Sequence, residues 1–312
     1  MADTEDDEDT SYLGTEGVDL EAELADLEQK KTSQFNLVWL RFKRNKLAII
    51  GAGIIITLVL LAILAPLLAP YGPLEQNIDR KLEDPSSDHL LGTDYLGRDI
   101  FSRLLYGARN ALLIGLGIVG LAGGIGVSLG LIAGSFGGIV DEVIMRLTDT
   151  FLAFPVLVLA IALATAMGMG QWPVVVAVGI IMWTRFARVT RGEILSLKQE
   201  RFIEAAEAIG ESRFSIIMRY LLPNVLPSIV VVATIQMPAA LLYDAALSYL
   251  GVGIQPPNPS WGGIASKGQT FMLTSPWMVT FAGIAIVITV LGFNFMGDGL
   301  RDALDPMTRG GK

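Results

Sequence analysis

The sequence contains no cysteine and only one histidine, His89, in 312 residues. Disulfide bonds and thiolate chemistry are therefore excluded, and so is a metal site built from several histidines. No G-x-x-x-x-G-K-[ST] phosphate-binding loop occurs, so the chain does not bind ATP by that route. We expect His89 to be an ordinary loop residue, and we expect this chain to hold no catalytic residue, no metal and no cofactor.

Charged residues are scarce too, at 17% of the chain, whereas 52% of the residues are hydrophobic and the mean hydropathy is +0.53. A soluble domain carries more charge, so the composition indicates a polytopic membrane protein. The net charge of −8 comes from residues 1–28, which hold 12 acidic and no basic residues. The remainder has 19 acidic and 23 basic residues, a net charge of +4.

Apolar runs divide the chain into six predicted transmembrane helices, which makes the fold all-α. Residues 47–70 carry no charge over 24 positions, and crossing the hydrocarbon core takes roughly 20 residues. Lysine and arginine near the apolar runs favour a cytoplasmic location for both termini. We predict a disordered acidic cytoplasmic tail (1–29), an interfacial amphipathic helix (30–46), the first transmembrane helix (47–70), an external segment (71–108), a core with five more transmembrane helices (109–308) and a tail (309–312).

The external segment and the run after it predict how the second transmembrane helix begins and packs. Thr93 or Asp94 can cap a helix, and Asp99 can pair with Arg103 at i,i+4, so we expect a surface helix leading into a membrane helix at 110–140. In that membrane helix glycines recur at every fourth position, at Gly120 and Gly124 and at Gly126, Gly130 and Gly134. Such spacing lets membrane helices approach closely, either against a partner subunit or within this chain.

Four further membrane helices are predicted at 141–167, 174–184, 225–249 and 278–295. In the first of these, Arg146 and Asp149 are three residues apart and can pair, and Pro155 can kink the helix. The next is short, and the arginines after it are expected to reach back toward the cytoplasmic surface.

The longest polar interruption in the second half of the chain is the stretch 199–223, which we call the elbow. We expect two short helices in the elbow. Gly210 can end the first helix by adopting the left-handed conformation, and Pro223 is expected to end the second. The first helix is amphipathic at 100° per residue, with one stripe of Glu200, Glu204, Glu207 and Glu211 and an opposite stripe of Phe202, Ala205, Ala206 and Ile209. The elbow is too polar for lipid and too apolar for water alone, so we expect it to dock on another protein.

The elbow resembles the EAA loop of the permease subunits of ATP-binding-cassette (ABC) importers. The resemblance lies in Glu204, Ala205, Ala206, Gly210, Leu222 and Pro223 at this spacing. One departure is Tyr220, where the family has Ile. The resemblance implies that these six residues couple the chain to a cytoplasmic ATPase.

Three other stretches resemble the C-type inner-membrane permease subunit of dipeptide and oligopeptide importers: the external segment, the loop that begins at Gln255 and the polar end of the last membrane helix. The resemblance covers about residues 38–308. It implies a B-type permease, two ATPase subunits that bind ATP and Mg, and an external or periplasmic substrate-binding protein as partners. It also implies a location in the cytoplasmic membrane, and nothing in it indicates nucleic-acid binding.

The resemblance also suggests residues for the translocation path and for docking. Asp244 is the only charged residue between Arg219 and Lys267, and an ionisable group at depth usually faces a cavity or a partner. With Asn294 it is a candidate for the translocation path, and a capped or paired acid near the outer interface is the alternative. Candidates for contact with the substrate-binding protein are Gln255, Pro256, Pro257 and Trp261.

Two alternatives to peptide import remain. Nickel or oligosaccharides are carried by relatives of the peptide permeases. A stand-alone secondary transporter, with Asp244 as an ion site, predicts inverted internal repeats, and we find none in the sequence.

Overall fold

A computed structural model describes residues 34–304, so the predicted acidic tail (1–29) and the tail 309–312 lie outside the described residues. Every regular element between 34 and 304 is helical, which confirms the all-α prediction. Besides a 3-10 turn at Ile78–Arg80 and a π turn at Ile217–Leu221, the helices are α1 (Gln34–Arg44), α2 (Lys46–Ile63), α3 (Ala65–Leu68), α4 (Ile100–Phe136), α5 (Gly138–Leu152), α6 (Val156–Ala166), α7 (Gln171–Leu197), α8 (Arg201–Ala208), α9 (Arg213–Ile216), α10 (Leu222–Tyr249), α11 (Trp261–Thr270) and α12 (Trp277–Leu304).

Five of these helical stretches are long and apolar enough to cross a membrane: α2, α4, α7, α12 and the continuous stretch Arg213–Tyr249. Helices α5 and α6 pass the same test only as a pair, and they are bent by 93° where they meet. If this pair is counted as one span, the total is the predicted six. Pro155 precedes α6 and ends the helical path rather than kinking it, because proline disfavours helical geometry at the residue before it.

Helix α4 begins at Ile100 rather than near 110, so the expected surface helix is its first turns. Its N-cap is Asp99, whose carboxylate accepts a hydrogen bond from the backbone N–H of Ser102 at 2.7 Å. The predicted Asp99–Arg103 pair is wrong, because the other carboxylate oxygen of Asp99 lies 3.0 Å from Nδ1 of His89. With 37 residues, α4 is about 55 Å long.

The centre of the fold is the packing of α4 against α7, the most extensive helix contact in the described chain. A Cβ at Gly126 would lie 2.3 Å from the carbonyl oxygen of Trp183, and one at Gly134 would lie 2.7 Å from the Ile194 side chain. These glycines therefore pack within the chain. Gly120 and Gly124 would meet nothing within 4 Å.

Helix α5 is joined to α7 by two ion pairs. Nη2 of Arg191 donates to Oδ2 of Asp141 at 2.6 Å, and Arg188 donates to Asp149. Arg146 pairs with Glu142 at 2.6 Å, so the predicted Arg146–Asp149 pair is wrong. Arg188 and Arg191 lie on α7, which continues to Leu197 instead of ending at 184, and from there they reach the acids of α5.

Candidate functional site

The elbow is one short helix followed directly by a long one. Helix α8 ends at Ala208, and Gly210 follows with φ of +82°, the left-handed conformation that was predicted. Ser212 then caps α9 by accepting from the backbone N–H of Ser215 at 3.2 Å. The chain runs on through the π turn into α10, so the prediction that Pro223 ends a second helix is wrong. Pro223 lies in the first turn of α10, where a missing N–H is tolerated.

One face of the elbow is packed against its own subunit. Ile203 and Ala206 of α8 are 1% and 3% exposed. They belong to one buried apolar cluster with Leu131 of α4, Ile194 of α7 and Val225 of α10. Burying a side chain such as Ile203 contributes roughly 1.5–3 kcal/mol. The elbow is therefore fixed to the ends of three membrane helices.

The other face of the elbow presents large apolar side chains to the outside. Phe202 is 41% exposed, Met218 48%, Phe214 73% and Ile209 77%. We call these four side chains the elbow patch. Of the predicted apolar stripe of α8, Phe202 and Ile209 belong to this patch and Ala206 is buried, and Ile203, assigned to neither stripe, is buried too.

Glu211 and Tyr220 connect the two parts of the elbow. The Tyr220 hydroxyl donates to Oε1 of Glu211 at 3.2 Å, and the Ser215 hydroxyl donates to Oε2 at 3.0 Å. The Tyr220 ring also lies 6.4 Å from the ring of Phe202, centre to centre. These contacts bridge the turn at Gly210, so the two helices hold the patch in one shape.

The six residues of the EAA resemblance divide between the two faces. Glu204, Ala205, Gly210 and Pro223 are exposed, Ala206 is buried and Leu222 is half-buried against the apolar cluster. Glu200, Glu204 and Glu207 are all exposed, as the charged stripe predicts. The exposed surface of the elbow therefore carries both carboxylates and large apolar side chains.

Asp244 lies inside the chain in this conformation. Its side chain is 5% exposed, and the hydroxyl of Ser248 approaches one carboxylate oxygen at 3.4 Å. The space beside it, between Trp261 and Thr289, is only about 10 Å³. Asn294, in contrast, is exposed on α12. The structure does not bring the two path candidates to one cavity, and both assignments of Asp244, path residue or capped acid, stay predictions.

The loop after α10 is ordered by its own side chains. Nε2 of Gln255 donates to the carbonyl oxygens of Gly251 and Gly253 at 3.0 and 2.8 Å, while Pro256 and Pro257 are exposed. The suggestion that Trp261 contacts a binding protein is wrong for this structure, because the side chain is 5% exposed and donates to Leu104 O at 3.0 Å. Helix α11 begins at Trp261, so the irregular loop is shorter than expected.

The segment before α4 contains a buried polar group that the sequence reasoning missed. His89 is 4% exposed and lies between the Tyr71 ring, at 4.7 Å, and Asp99, so it is no ordinary loop residue. At the exposed edge, a hydrogen bond from Arg80 lowers the pKa of Asp88. Nothing in the sequence signalled this burial, because Gly and Asp, frequent between 92 and 103, are also the ordinary residues of exposed turns.

Within residues 34–304, no three His, Asp or Glu side chains come close enough together to hold a metal ion. The features that point outward are the elbow patch and the loop around Pro256.

Comparison with known proteins gives two family matches. The family described as "Binding-protein-dependent transport system inner membrane component" matches residues 126–310, and "N-terminal TM domain of oligopeptide transport permease C" matches residues 33–85.

Curated relatives match along most of their length. The chain is 45% identical to the dipeptide transport system permease protein DppC of Alkalihalophilus pseudofirmus, over 85% of this chain and 88% of the relative. It is 40% identical to the oligopeptide permease OppC of Bacillus subtilis (91% and 93%) and 44% identical to the glutathione permease GsiD of Pectobacterium atrosepticum (86% and 89%). A solved inward-facing structure of the MetNI methionine ABC transporter shares the fold, with a TM-score of 0.54 and 21% identity over 66% of this chain and 98% of that chain.

Proposed function

Because the chain belongs to the family of binding-protein-dependent transport system inner membrane components, we propose that it is the C-type permease subunit of an ABC importer that moves dipeptides or oligopeptides across the cytoplasmic membrane. The relatives named for dipeptides, oligopeptides and glutathione, itself a short peptide, favour this cargo over nickel or oligosaccharides. ATP binding and hydrolysis belong to separate ATPase subunits, so the work of this chain is mechanical.

The observation that carries the proposal is the elbow patch. Four large apolar side chains between 41% and 77% exposed lie on a polar surface feature between two membrane helices. Contiguous apolar surface rimmed by charge marks a protein-interaction site. The carboxylates of Glu204 and Glu207 on α8 are exposed as well and add charge to the same surface element. We assign this surface to the cytoplasmic ATPase; with six spans, this assignment implies that the elbow and both termini lie on the cytoplasmic side.

The packing of the elbow explains how a docked ATPase would move the membrane helices. Helix α8 of the elbow follows α7 after three residues, and the elbow continues into the fifth span without interruption. Ile203 also packs on α4 through Leu131. A displacement of the elbow therefore moves three membrane helices together. Coupling requires that the ATPase contacts differ between the inward- and outward-facing states.

The partners complete this scheme. A B-type permease would form the second half of the pore, and a substrate-binding protein would deliver peptide near the exposed prolines Pro256 and Pro257. Asp244 and Asn294 remain candidates for the path once the second permease is present.

Co-purification tests the proposal. The tagged chain, expressed with its candidate ATPases and B-type permease, should recover all three partners from detergent. Phe214→Ser, which removes a 73% exposed ring, should release the ATPases while retaining the B-type permease. Leu273→Ser, at a fully exposed leucine (100%) near the opposite end of the membrane helices, is the matched control and should retain every partner. A chain that transports peptide without any ATPase would refute the proposal.

A further inference from the structure

A cavity of about 300 Å³ lies at the end of α4 opposite the elbow. Its wall combines three parts of the chain that are distant in sequence. Arg98 and Arg103 come from the segment before α4 and its first turn, Gln255 comes from the loop after α10, and Lys267 comes from α11. The coupling role proposed above uses none of these side chains.

The two arginines share a single carboxylate of the cavity wall. Their side chains are 4% and 6% exposed, and one carboxylate, Asp94, faces both. Nε of Arg98 donates to Oδ2 of Asp94 at 2.7 Å, whereas Nε of Arg103 lies 3.6 Å from the same oxygen, too far for a hydrogen bond. Nε of Arg103 is buried without an acceptor among residues 34–304. Only Nη1 of Arg103 is occupied, by the carbonyl oxygen of Pro73 at 2.7 Å and that of Pro257 at 3.4 Å.

The cavity wall also carries more positive than negative charge. Three cationic side chains, Arg98, Arg103 and Lys267, share the cavity with the single anion Asp94. Lys267 is exposed and makes no ion pair among the described residues, so its ammonium group is free to contact a ligand. Asp99 lies just behind the wall, but its carboxylate is occupied by His89 and the Ser102 N–H. The buried cations Arg98 and Arg103 need counter-charge to offset their desolvation, and Asp94 is the only carboxylate among the residues that line the cavity.

We infer that this cavity binds the carboxylate of a short peptide, with Arg103 and Lys267 as its charged contacts. The guanidinium group offers paired N–H donors that match a carboxylate in geometry. The volume of the cavity, about 300 Å³, is at the lower end of the range for small-ligand pockets, which suits a dipeptide-sized molecule. The identity of the ligand as a peptide rests on the proposed function, whereas its carboxylate is indicated by the wall itself.

Isothermal titration of the full chain in lipid nanodiscs tests this inference. The probes are alanyl-alanine and its C-terminal amide, which differ in the carboxylate alone. We expect the acid to bind at least about tenfold more tightly than the amide, the size of effect that a hydrogen bond to a charged group produces. Lys267→Gln should remove most of this preference. Lys81→Gln, at an exposed lysine outside the cavity, should retain it.

Three results would overturn the inference: no binding of either probe, equal binding of the acid and the amide, or an acid preference that Lys267→Gln leaves intact. ATP-driven uptake by the complete complex tests the proposed function separately. Uptake without peptide binding by this chain removes the cavity site and leaves the function. Carboxylate binding without ATP-driven uptake removes the function and leaves the site.

Discussion

Replacing Gly210 tests whether the shape of the elbow matters for coupling. The backbone there has φ of +82°, and a Cβ would meet nothing within 4 Å. A substitution therefore adds no steric clash, and its whole cost is conformational. For a residue such as alanine the left-handed conformation costs roughly 1–2 kcal/mol. Ile203 and Ala206 still fix α8 to the membrane helices, so we expect the chain to insert normally and only the turn to rearrange.

The assay is the affinity of the ATPase for the reconstituted chain. If docking requires the turn seen here, Gly210→Ala must recover that turn at a cost of roughly 1–2 kcal/mol, which weakens binding about 5- to 30-fold. Gly210→Asn should weaken it less, because asparagine enters the left-handed region more readily. ATP-driven peptide uptake should fall in the same order.

Gly168→Ala is the matched control, since Gly168 has φ of +91° and no neighbour within 4 Å of its Cβ. It lies beyond the other end of α7, a helix of 27 residues and so about 40 Å long. The reasoning is refuted if Gly210→Ala and Gly210→Asn bind the ATPase equally, or if Gly168→Ala weakens binding as much as Gly210→Ala does.

Three further substitutions test the packing. Gly126→Ala should prevent the close contact of α4 with α7 and abolish a monodisperse gel-filtration peak. Gly120→Ala is the control, because the added methyl group meets no neighbour, and it should keep the peak. The same peak from both variants would contradict this prediction. Ile203→Ala should lower stability by about 2–5 kcal/mol, seen as a lower melting temperature, and an unchanged value would show that the elbow is not held by this cluster. Trp261→Phe should lower the free energy of unfolding by roughly 0.5–1.5 kcal/mol, because the hydrogen bond to Leu104 O is lost. Unchanged stability together with weaker docking of a binding protein would instead indicate that Trp261 belongs to the docking surface.

Much of the architecture was predictable because it depends on local sequence. A run of 24 uncharged residues has few alternatives to a membrane helix, whatever surrounds it. Gly210 was predicted in the left-handed conformation for the same reason, since the preference belongs to the residue itself. The helix ends were less predictable, as at α4, because the polar first turns become helical when a buried segment packs over them.

The faces and the partners of side chains were decided by the tertiary structure. Periodicity placed Ala206 and Ile209 on one apolar stripe of α8, yet Ala206 is 3% and Ile209 is 77% exposed, because the ends of α4, α7 and α10 determine where the apolar cluster lies. Likewise, spacing suggested a pair within one helix for Asp149, but its partner, Arg188, is 39 residues away.

The helical membrane fold, the place of the elbow and its turn therefore follow from local sequence, since each depends on hydropathy and backbone preference within a short window. Which apolar side chains of the elbow stay exposed, and that Arg98, Arg103 and Lys267 line one cavity, became known from the fold. Those facts depend on distances between segments that are far apart in the chain, which no local pattern encodes.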